Sequence, residues 1–266
     1  MQRILFFTII LVVLTSCSQY QKALNKDDVA LKYKVADSLY SIGKYAKAVR
    51  LFEQMAPSYR GKPQAEKMFY MFAMSTYKLK QYHTSAVLFD RFVLGYPNSI
   101  KLEEAKFMSG KSYFEISPKY SKDQVDTYKA IDKLQAFLNA YPDSEYAKEA
   151  NEIIVVLNQK IEKKYFEIAK QYNTIAEYTN DYKAAIVALD NFLINYPGTI
   201  YTEDALYYKF DSMYHIALKS IPSLKKDRLI QAKNAYEQLI KHNGESKYRT
   251  QADRMVKDVE NELLKS

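Results

Sequence analysis

Apolar residues recur at intervals of three and four along most of the chain, and alternating apolar and polar runs are missing. The segments AVRLFEQM (48–55), AVLFDRFV (86–93) and AIVALDNFL (185–193) show the pattern. This spacing places apolar side chains on one face of an α-helix, whereas a half-buried strand has a period of two. The pattern therefore predicts an all-α protein.

A phrase containing Tyr-Pro occurs three times, in RFVLGYPNSIKLEEA (91–105), AFLNAYPDSEYAKEA (136–150) and NFLINYPGTIYTEDA (191–205). Proline breaks a helix interior because it lacks a backbone N–H and clashes with the preceding turn. The Ser or Thr that follows can accept a hydrogen bond from the first turn of a new helix. We therefore predict helix–corner–helix junctions, with Ser99, Ser144 and Thr199 as N-caps. Pro57 and Pro222 are predicted to mark further breaks.

The segment ADSLYSIGKYAKAVRLF (36–52) has the spacing of a helix–turn–helix repeat. Ala36, Leu39, Gly43, Tyr45, Ala48 and Phe52 lie at offsets 0, 3, 7, 9, 12 and 16. This spacing resembles the tetratricopeptide repeat, in which small residues let two helices approach closely. Gly43 is expected to form the turn, and Ala48 and Ala130 to contact the preceding helix. The predicted fold is an all-α, right-handed superhelical solenoid of about five tetratricopeptide-like helix pairs.

The repeats also predict the domain organisation. Residues 28–143 are expected to hold repeats 1–3, and residues 144–266 repeats 4 and 5 with the terminal helices. Irregularities are an insertion at 116–127, a long helical stretch at 144–178 with a weak break at 158–160, and a charged loop at 219–227. The last helices are predicted near 202–219, 227–241 and 246–264.

The chain begins with MQRILFFTIILVVLTSC, which has the organisation of a bacterial export signal. Arg3 supplies a positive charge, and the apolar run of eleven residues at 4–14 is too short to span a bilayer. The stretch Leu14-Thr15-Ser16-Cys17 resembles a lipobox, in which the cysteine thiol is acylated and the peptide bond before it is cut. Residues 1–16 are thus expected to be a lipoprotein signal peptide and residues 17–27 a lipidated linker. The alternative is an ordinary signal peptide with an incidental cysteine.

Composition narrows the function further. Cys17 is the only cysteine, so the mature chain has no partner for a disulfide. The net charge of +8 would suit an anionic membrane or nucleic acid, but the lysines are scattered among acids as on a solvated helical surface. Export argues further against nucleic acid as a partner.

Motifs for catalysis or metal binding are missing. The three histidines, His83, His215 and His242, are far apart, and no metal-ligand spacing connects them. No phosphate-binding glycine loop or nucleophile elbow is present. We therefore expect no enzymatic activity, no cofactor and no metal site.

Aromatic residues are abundant, with 25 Tyr and 13 Phe but no Trp. In this kind of repeat the first helix of each pair lines the inner surface. Two such positions in repeats 1–3 hold Tyr33, Tyr40, Tyr70, Tyr77, Phe107 and Phe114. These rings offer apolar area suited to peptide recognition, and Lys67, Lys78 and Lys111 on the same face could attract a carboxylate. Alternatively, the rings only fill gaps between the first helices.

The lipobox followed by irregular repeats with Tyr-Pro corners resembles the BamD family, lipoproteins of the outer-membrane β-barrel assembly machinery. The most specific segments are CSQYQKAL, YPNS, YPDSEYAKEAN and YPGTIYTEDALYY, and YRGKPQAE is similar to a corner of Bacteroidetes-type relatives. The resemblance extends from Cys17 to about residue 260. It implies a lipid-anchored scaffold on the outer membrane that faces the periplasm.

The resemblance also implies partners. The amino-terminal repeats would receive unfolded outer-membrane protein precursors, whose final strands alternate apolar and polar residues and often end in an aromatic residue with a free carboxylate. The carboxy-terminal repeats would dock the periplasmic domain of BamA. Two alternatives are another periplasm-facing repeat lipoprotein that coordinates cell-wall synthesis and a glycan-uptake accessory. A sugar-binding protein would be expected to carry Trp, which this chain lacks.

Replacing Cys17 by Ala should abolish acylation and release the protein from the membrane fraction, because the thiol is the atom that carries the lipid. Mass spectrometry of the mature protein and membrane fractionation measure the two effects. An unmodified Cys17 in the mature wild-type protein would contradict the assignment.

Overall fold

The computed structural model describes residues 19–265, and its regular secondary structure there consists of helices, with no strand among these residues. The prediction of an all-α fold is confirmed. The signal peptide and Cys17 lie outside the described residues. The chain divides into two compact units, which are described separately below.

Unit 1 comprises residues 19–118 and 122–157. Its helices are α1 (19–25), α2 (Val29–Ser41), α3 (Tyr45–Tyr59), α4 (Ala65–Lys78), α5 (Tyr82–Gly95), α6 (Leu102–Ile116), α7 (Val125–Ala140) and the first turns of α8 (Ala147–Thr179). Helices α2 and α3, α4 and α5, and α6 and α7 form the three predicted repeats. The insertion at 116–127 supplies the end of α6, a connecting segment and the start of α7.

Unit 2 comprises residues 119–121 and 158–265. It contains the rest of α8, then α9 (Tyr182–Asn195), α10 (Thr202–Leu218), α11 (Pro222–His242) and α12 (Arg249–Leu263). The rest of α8 pairs with α9 around Phe166, Leu189 and Phe192, and α10 pairs with α11. The weak break predicted at 158–160 does not interrupt α8. Because Ala150, Ile153 and Leu157 are buried in the core of repeat 3, the first turns of α8 belong to unit 1.

Small residues set the distance between the helices of each pair. Ala36 and Ala73 are fully buried at equivalent positions of α2 and α4. Gly110 takes this position in α6, where an added Cβ would lie 2.7 Å from the Leu134 side chain of α7. The burial predicted for Ala130 is confirmed as well. The sequence spacing therefore identified positions of close approach between paired helices.

The turn within a pair needs a left-handed backbone conformation. Gly43, between α2 and α3, has φ of 73°, as predicted. Lys80 and Asn180 have φ of 60° and 59° at the corresponding turns after α4 and α8. A side chain is disfavoured in this region, although Asn tolerates it better than Lys. The turn geometry is thus retained in repeats that lack the glycine.

The Tyr-Pro corners connect one pair to the next through a short turn. Ser99 Oγ accepts a hydrogen bond from the Lys101 N–H at 3.0 Å, and the Ser99 carbonyl accepts from the Leu102 N–H. Ser144 and Thr199 make the same side-chain contact at their corners. The helices begin only after this turn, so the prediction that these residues are the N-caps was wrong by two residues.

Two of these hydroxyl groups, those of Ser99 and Thr199, also bind a glutamate of the preceding repeat. Ser99 Oγ donates to Glu66 at 2.6 Å, and Thr199 Oγ1 donates to Glu162 at 2.8 Å. At the junction of α11 and α12, which has no Tyr-Pro, Ser246 Oγ donates to Glu203 at 2.7 Å. Ser99, Thr199 and Ser246 therefore each link the start of one helix to a glutamate of the preceding first helix.

The residue two positions after the hydroxyl covers an aromatic ring of the preceding first helix. Tyr146 stacks on Phe107 with centroids 4.8 Å apart, Tyr201 on Phe166 at 4.9 Å, and Tyr248 on Tyr207 at 3.8 Å. At the first corner the Lys101 ammonium lies 5.3 Å from the centre of the Tyr70 ring. We call the covered ring, together with the hydroxyl–glutamate bond where it forms, the corner clamp.

Two prolines differ from the prediction. Pro57 lies inside α3, three residues from its carboxyl end. Pro57 has no N–H to donate to the backbone carbonyl of Glu53. Because Glu53 is exposed, this carbonyl can accept a hydrogen bond from water, so the proline destabilises the helix little. Pro222 starts α11 rather than ending a loop, because the first position of a helix needs no N–H donor. The loop predicted at 219–227 is therefore reduced to residues 219–221.

The segment predicted as a lipidated linker is partly ordered. Residues 19–25 are helical, and Tyr20 and Ala23 are buried in the core of repeat 1. The Lys47 ammonium of α3 lies 5.1 Å from the centre of the Tyr20 ring. Because apolar side chains of the segment reach this core, the described part of the linker is packed against repeat 1.

Gly110→Ala should destabilise the protein. The new methyl group would collide with Leu134, and overpacking costs about 1–3 kcal/mol, more than the ~1 kcal/mol gained from helix propensity. Thermal unfolding measures the effect. Gly95→Ala is the matched control, because no atom lies within 4 Å of its added Cβ. A Gly110→Ala protein as stable as the control would contradict the close approach.

Glu203→Gln should reduce stability near neutral pH. Hydrogen bonds from Ser246, Asn243 and the Lys247 N–H favour the carboxylate and lower the pKa of Glu203 below its usual value. A lowered folded-state pKa contributes stability that is present above the unfolded-state pKa of about 4.3 and is lost as pH falls through the folded-state pKa. The difference between wild type and variant should therefore shrink between about pH 5 and pH 3.

Urea unfolding at several pH values measures this difference. Glu237→Gln is the control, because Glu237 is exposed on α11 and takes no part in a clamp. Its effect should stay within about 0.5 kcal/mol. A constant stability difference between Glu203→Gln and wild type across the acid range would contradict the prediction.

Candidate peptide-binding face

The first helices of repeats 1–3 bring the predicted aromatic residues to one face of unit 1. Within each helix the two rings are seven residues apart, which places them on the same side, two turns from one another. We call the accessible part of this surface the aromatic face. The rings concerned are Tyr33 and Tyr40 of α2, Tyr70 and Tyr77 of α4, and Phe107 and Phe114 of α6.

The six rings differ in accessibility. Tyr33, Tyr40, Tyr77 and Phe114 are half-buried. Tyr70 is only 8% exposed and Phe107 only 1%. The prediction that all six line an open surface is therefore corrected for Tyr70 and Phe107. The reason is the corner clamp, which covers Tyr70 with Lys101 and Phe107 with Tyr146.

Tyr33 lies at the amino-terminal edge of the aromatic face. Its ring stacks on Tyr59 with centroids 5.5 Å apart. Burial raises the pKa of the Tyr33 hydroxyl, and the nearby Lys67 charge opposes that rise. Lys67 itself forms an ion pair with Asp37 at 2.8 Å. This edge is consequently neutral overall.

Tyr40 and Tyr77 occupy equivalent positions, and each is held by a second tyrosine across the turn of its repeat. The Tyr40 ring makes an edge contact with Tyr45 at 5.7 Å, and Tyr77 makes one with Tyr82 at 5.2 Å. Sequence reasoning did not assign Tyr45 and Tyr82 to the site, although the five-residue spacing recurs in repeats 1 and 2. These contacts limit the orientations that the two rings can adopt.

Carboxylates lie beside the accessible hydroxyl groups. The Tyr77 hydroxyl donates to Glu115 at 3.4 Å. Burial raises the pKa of the Tyr77 hydroxyl, and the Glu115 charge raises it further, so the hydroxyl stays protonated at physiological pH. Burial has the same effect on the pKa of Tyr40, with smaller contributions from Tyr45 and Glu104. Both tyrosines therefore act as neutral hydrogen-bonding groups.

The three predicted lysines are not equivalent. Lys67 is paired with Asp37, and Lys111 is paired with Glu149 at 2.6 Å. Lys78 is exposed at the end of α4 and forms no ion pair with another described residue. Of the three, Lys78 is thus the one whose charge is not offset by a carboxylate contact.

Two further properties concern the described residues as a whole. No group of three or more His, Cys, Asp or Glu side chains between residues 19 and 265 is arranged to hold a metal ion. Over the same range, every helix is too short or too polar to cross a membrane.

Two family models match the chain. A model described as "Outer membrane lipoprotein" (YfiO) matches residues 25–219 and 174–266. A second, described as "Prokaryotic membrane lipoprotein lipid attachment site", matches residues 1–18 and so includes Cys17. The matches therefore cover both the helical repeats and the segment before them.

Curated relatives are named as assembly factors. A "Putative outer membrane protein assembly factor BamD" of Aquifex aeolicus is 28% identical over 72% of this chain, and the match spans 57% of that protein. The "Outer membrane protein assembly factor BamD" of Pasteurella multocida is 24% identical over 76% of this chain and 79% of its own length. The protein of the same name from Rickettsia prowazekii is 24% identical, with coverage of 88% and 87%.

The first family model extends over most of the chain and over helices of both units. The chain therefore belongs to the YfiO family of outer membrane lipoproteins.

Proposed function

We propose that this protein is a lipid-anchored, non-enzymatic scaffold of the outer-membrane β-barrel assembly machinery. In this proposal it faces the periplasm and binds both BamA and unfolded outer-membrane protein precursors. Family membership and the names of its relatives support the assembly role. The observation that carries precursor binding is the accessible aromatic face of unit 1.

The aromatic face is suited to an extended segment with alternating apolar and polar residues. In such a segment, side chains on one side recur at about twice the strand rise, roughly 7 Å. Tyr40, Tyr77 and Phe114 repeat once per helix pair and leave apolar area exposed. A partner strand can therefore place apolar side chains from one of its faces against these rings.

Pre-organisation favours binding at these rings. Tyr40 and Tyr77 are already held by their partners Tyr45 and Tyr82, so binding orders few additional torsions. Their hydroxyl groups remain neutral and can bind backbone groups of an extended chain. Lys78 supplies a charge for the free carboxylate at a precursor's end.

The carboxy-terminal repeats are proposed to dock BamA, as the resemblance to the family implies. Attachment to the membrane is assigned to the acyl chains on Cys17, which the lipid-attachment match supports. Several acyl chains on one residue give stable anchoring, whereas a single chain binds only marginally. The scaffold would thus present its repeats in the periplasm next to the membrane.

The double substitution Tyr40→Ala and Tyr77→Ala should weaken binding of a precursor peptide by about 2 kcal/mol or more, in the range of aromatic hot spots. The apolar contact area of two neighbouring repeats would be lost. Fluorescence titration with a synthetic peptide of alternating apolar and polar residues and a terminal Phe carboxylate measures the change.

Tyr172→Ala and Tyr178→Ala form the matched control, because both tyrosines are exposed on α8 in unit 2. Circular dichroism establishes that each double variant is folded. BamA binding should survive the change at Tyr40 and Tyr77. Equal peptide affinity for this variant and wild type would assign the rings to packing and overturn the binding role.

A further inference from the structure

Unit 1 also contains an open cavity of about 1120 Å³ that shares no residue with the aromatic face. It lies between the carboxyl-terminal turns of α3 and α5 and reaches down to α4. Two arginines line it, Arg60 after α3 and Arg91 on α5, and we call it the arginine-rimmed cavity. Its apolar lining includes Phe69, Phe72, Leu88, Phe92 and Tyr96.

The aromatic lining is formed before any ligand binds. Phe72 and Phe92 are buried, and the Tyr96 ring lies 5.2 Å from Phe92 and 6.3 Å from Phe69. Leu94 also lines the cavity and is 82% exposed. An apolar surface with a fixed floor and an exposed aliphatic side chain can bury a large side chain of a partner without rearrangement.

Charge around the cavity is unbalanced. Arg60 and Arg91 are exposed, and neither guanidinium forms an ion pair or hydrogen bond with another residue between 19 and 265. Glu53 is the one acidic residue among those lining the cavity, so these side chains carry one net positive charge. Burial raises the pKa of Tyr96, the nearby Glu66 charge raises it further, and the Arg60 charge opposes the rise. Arg60 therefore acts on the aromatic floor from the cavity lining, whereas Glu66 acts on it from outside that lining.

The position of the cavity favours a protein over a lipid headgroup. The opposite end of α3 contacts α1, where Lys47 lies over Tyr20. Lys47 and Arg60 are separated along the helix axis by about 20 Å. Helix α1 directly follows the site of lipid attachment, so the cavity lies at the end of α3 that is farther from the anchor.

We propose that the arginine-rimmed cavity docks a short acidic segment of a partner protein. One aromatic or large aliphatic side chain of the partner would occupy the floor, and flanking carboxylates would pair with Arg60 and Arg91. Guanidinium groups suit this role because they bind carboxylates through two parallel hydrogen bonds. The site is separate from the aromatic face and does not depend on precursor binding there.

Three dansyl-labelled, amidated pentapeptides serve as probes: Gly-Asp-Phe-Glu-Gly, the neutral Gly-Asn-Phe-Gln-Gly and the basic Gly-Lys-Phe-Lys-Gly. They are titrated into the full-length mature protein. The acidic peptide should bind at least about fivefold tighter than the neutral one, as expected for two exposed charge pairs. The double substitution Arg60→Glu and Arg91→Glu should weaken binding of the acidic peptide about tenfold and strengthen binding of the basic peptide.

The control variant is Arg50→Glu with Arg254→Glu, which makes the same change in net charge at exposed arginines outside the cavity. It should retain preference for the acidic peptide. Equal binding of acidic and neutral peptides, or no binding of the acidic peptide at about 1 mM, would overturn the proposal. The peptide Gly-Asp-Gly-Glu-Gly tests the apolar floor, and equal affinity for it would also count against the site.

A membrane ligand is tested with phosphatidylglycerol vesicles and the Cys17→Ala protein, so that the lipid anchor contributes nothing. Co-sedimentation should be the same with and without the two substitutions at Arg60 and Arg91. Vesicle binding that these substitutions abolish would identify a lipid surface as the ligand and overturn the proposal of a protein segment.

Discussion

The corner clamp is the interaction on which the repeat arrangement within each unit depends. A hydroxyl group at the start of one first helix donates to a glutamate of the preceding first helix, as in the Ser99–Glu66 and Ser246–Glu203 pairs. Two residues later, a side chain covers an aromatic ring of that preceding helix. A polar contact with defined geometry and an aromatic stack together restrict both the distance and the rotation between neighbouring first helices.

The clamp also decides which aromatic rings of the first helices remain exposed. Tyr70 and Phe107 are covered by Lys101 and Tyr146 and belong to the core. Tyr77 lies two turns after Tyr70 on α4, and part of its ring remains exposed. Aromatic residues thus fill the core at one position of a first helix and leave ring area exposed at another.

Unit 1 carries two surfaces of different chemistry. On the aromatic face, Lys67 and Lys111 are paired with carboxylates, so apolar contact dominates. At the arginine-rimmed cavity, Arg60 and Arg91 have no carboxylate partner among the described residues, so charge adds to apolar contact. Because the two surfaces share no residue, the two binding roles proposed for them do not exclude one another.

Local patterns in the sequence determined the helices, the tight approach at Ala36 and Gly110, and the turn at Gly43, because each depends on neighbours within one helix pair. The lipobox likewise is a local motif. Only the tertiary structure decided that Tyr70 and Phe107 are buried, that Lys111 is paired and that residues 119–121 belong to unit 2. These properties depend on side chains tens of residues away, such as Tyr146 for Phe107. The sequence did not predict the clamp after α11, because no Tyr-Pro precedes α12. Only the hydrogen bond from Ser246 to Glu203, 43 residues earlier in the chain, identifies it.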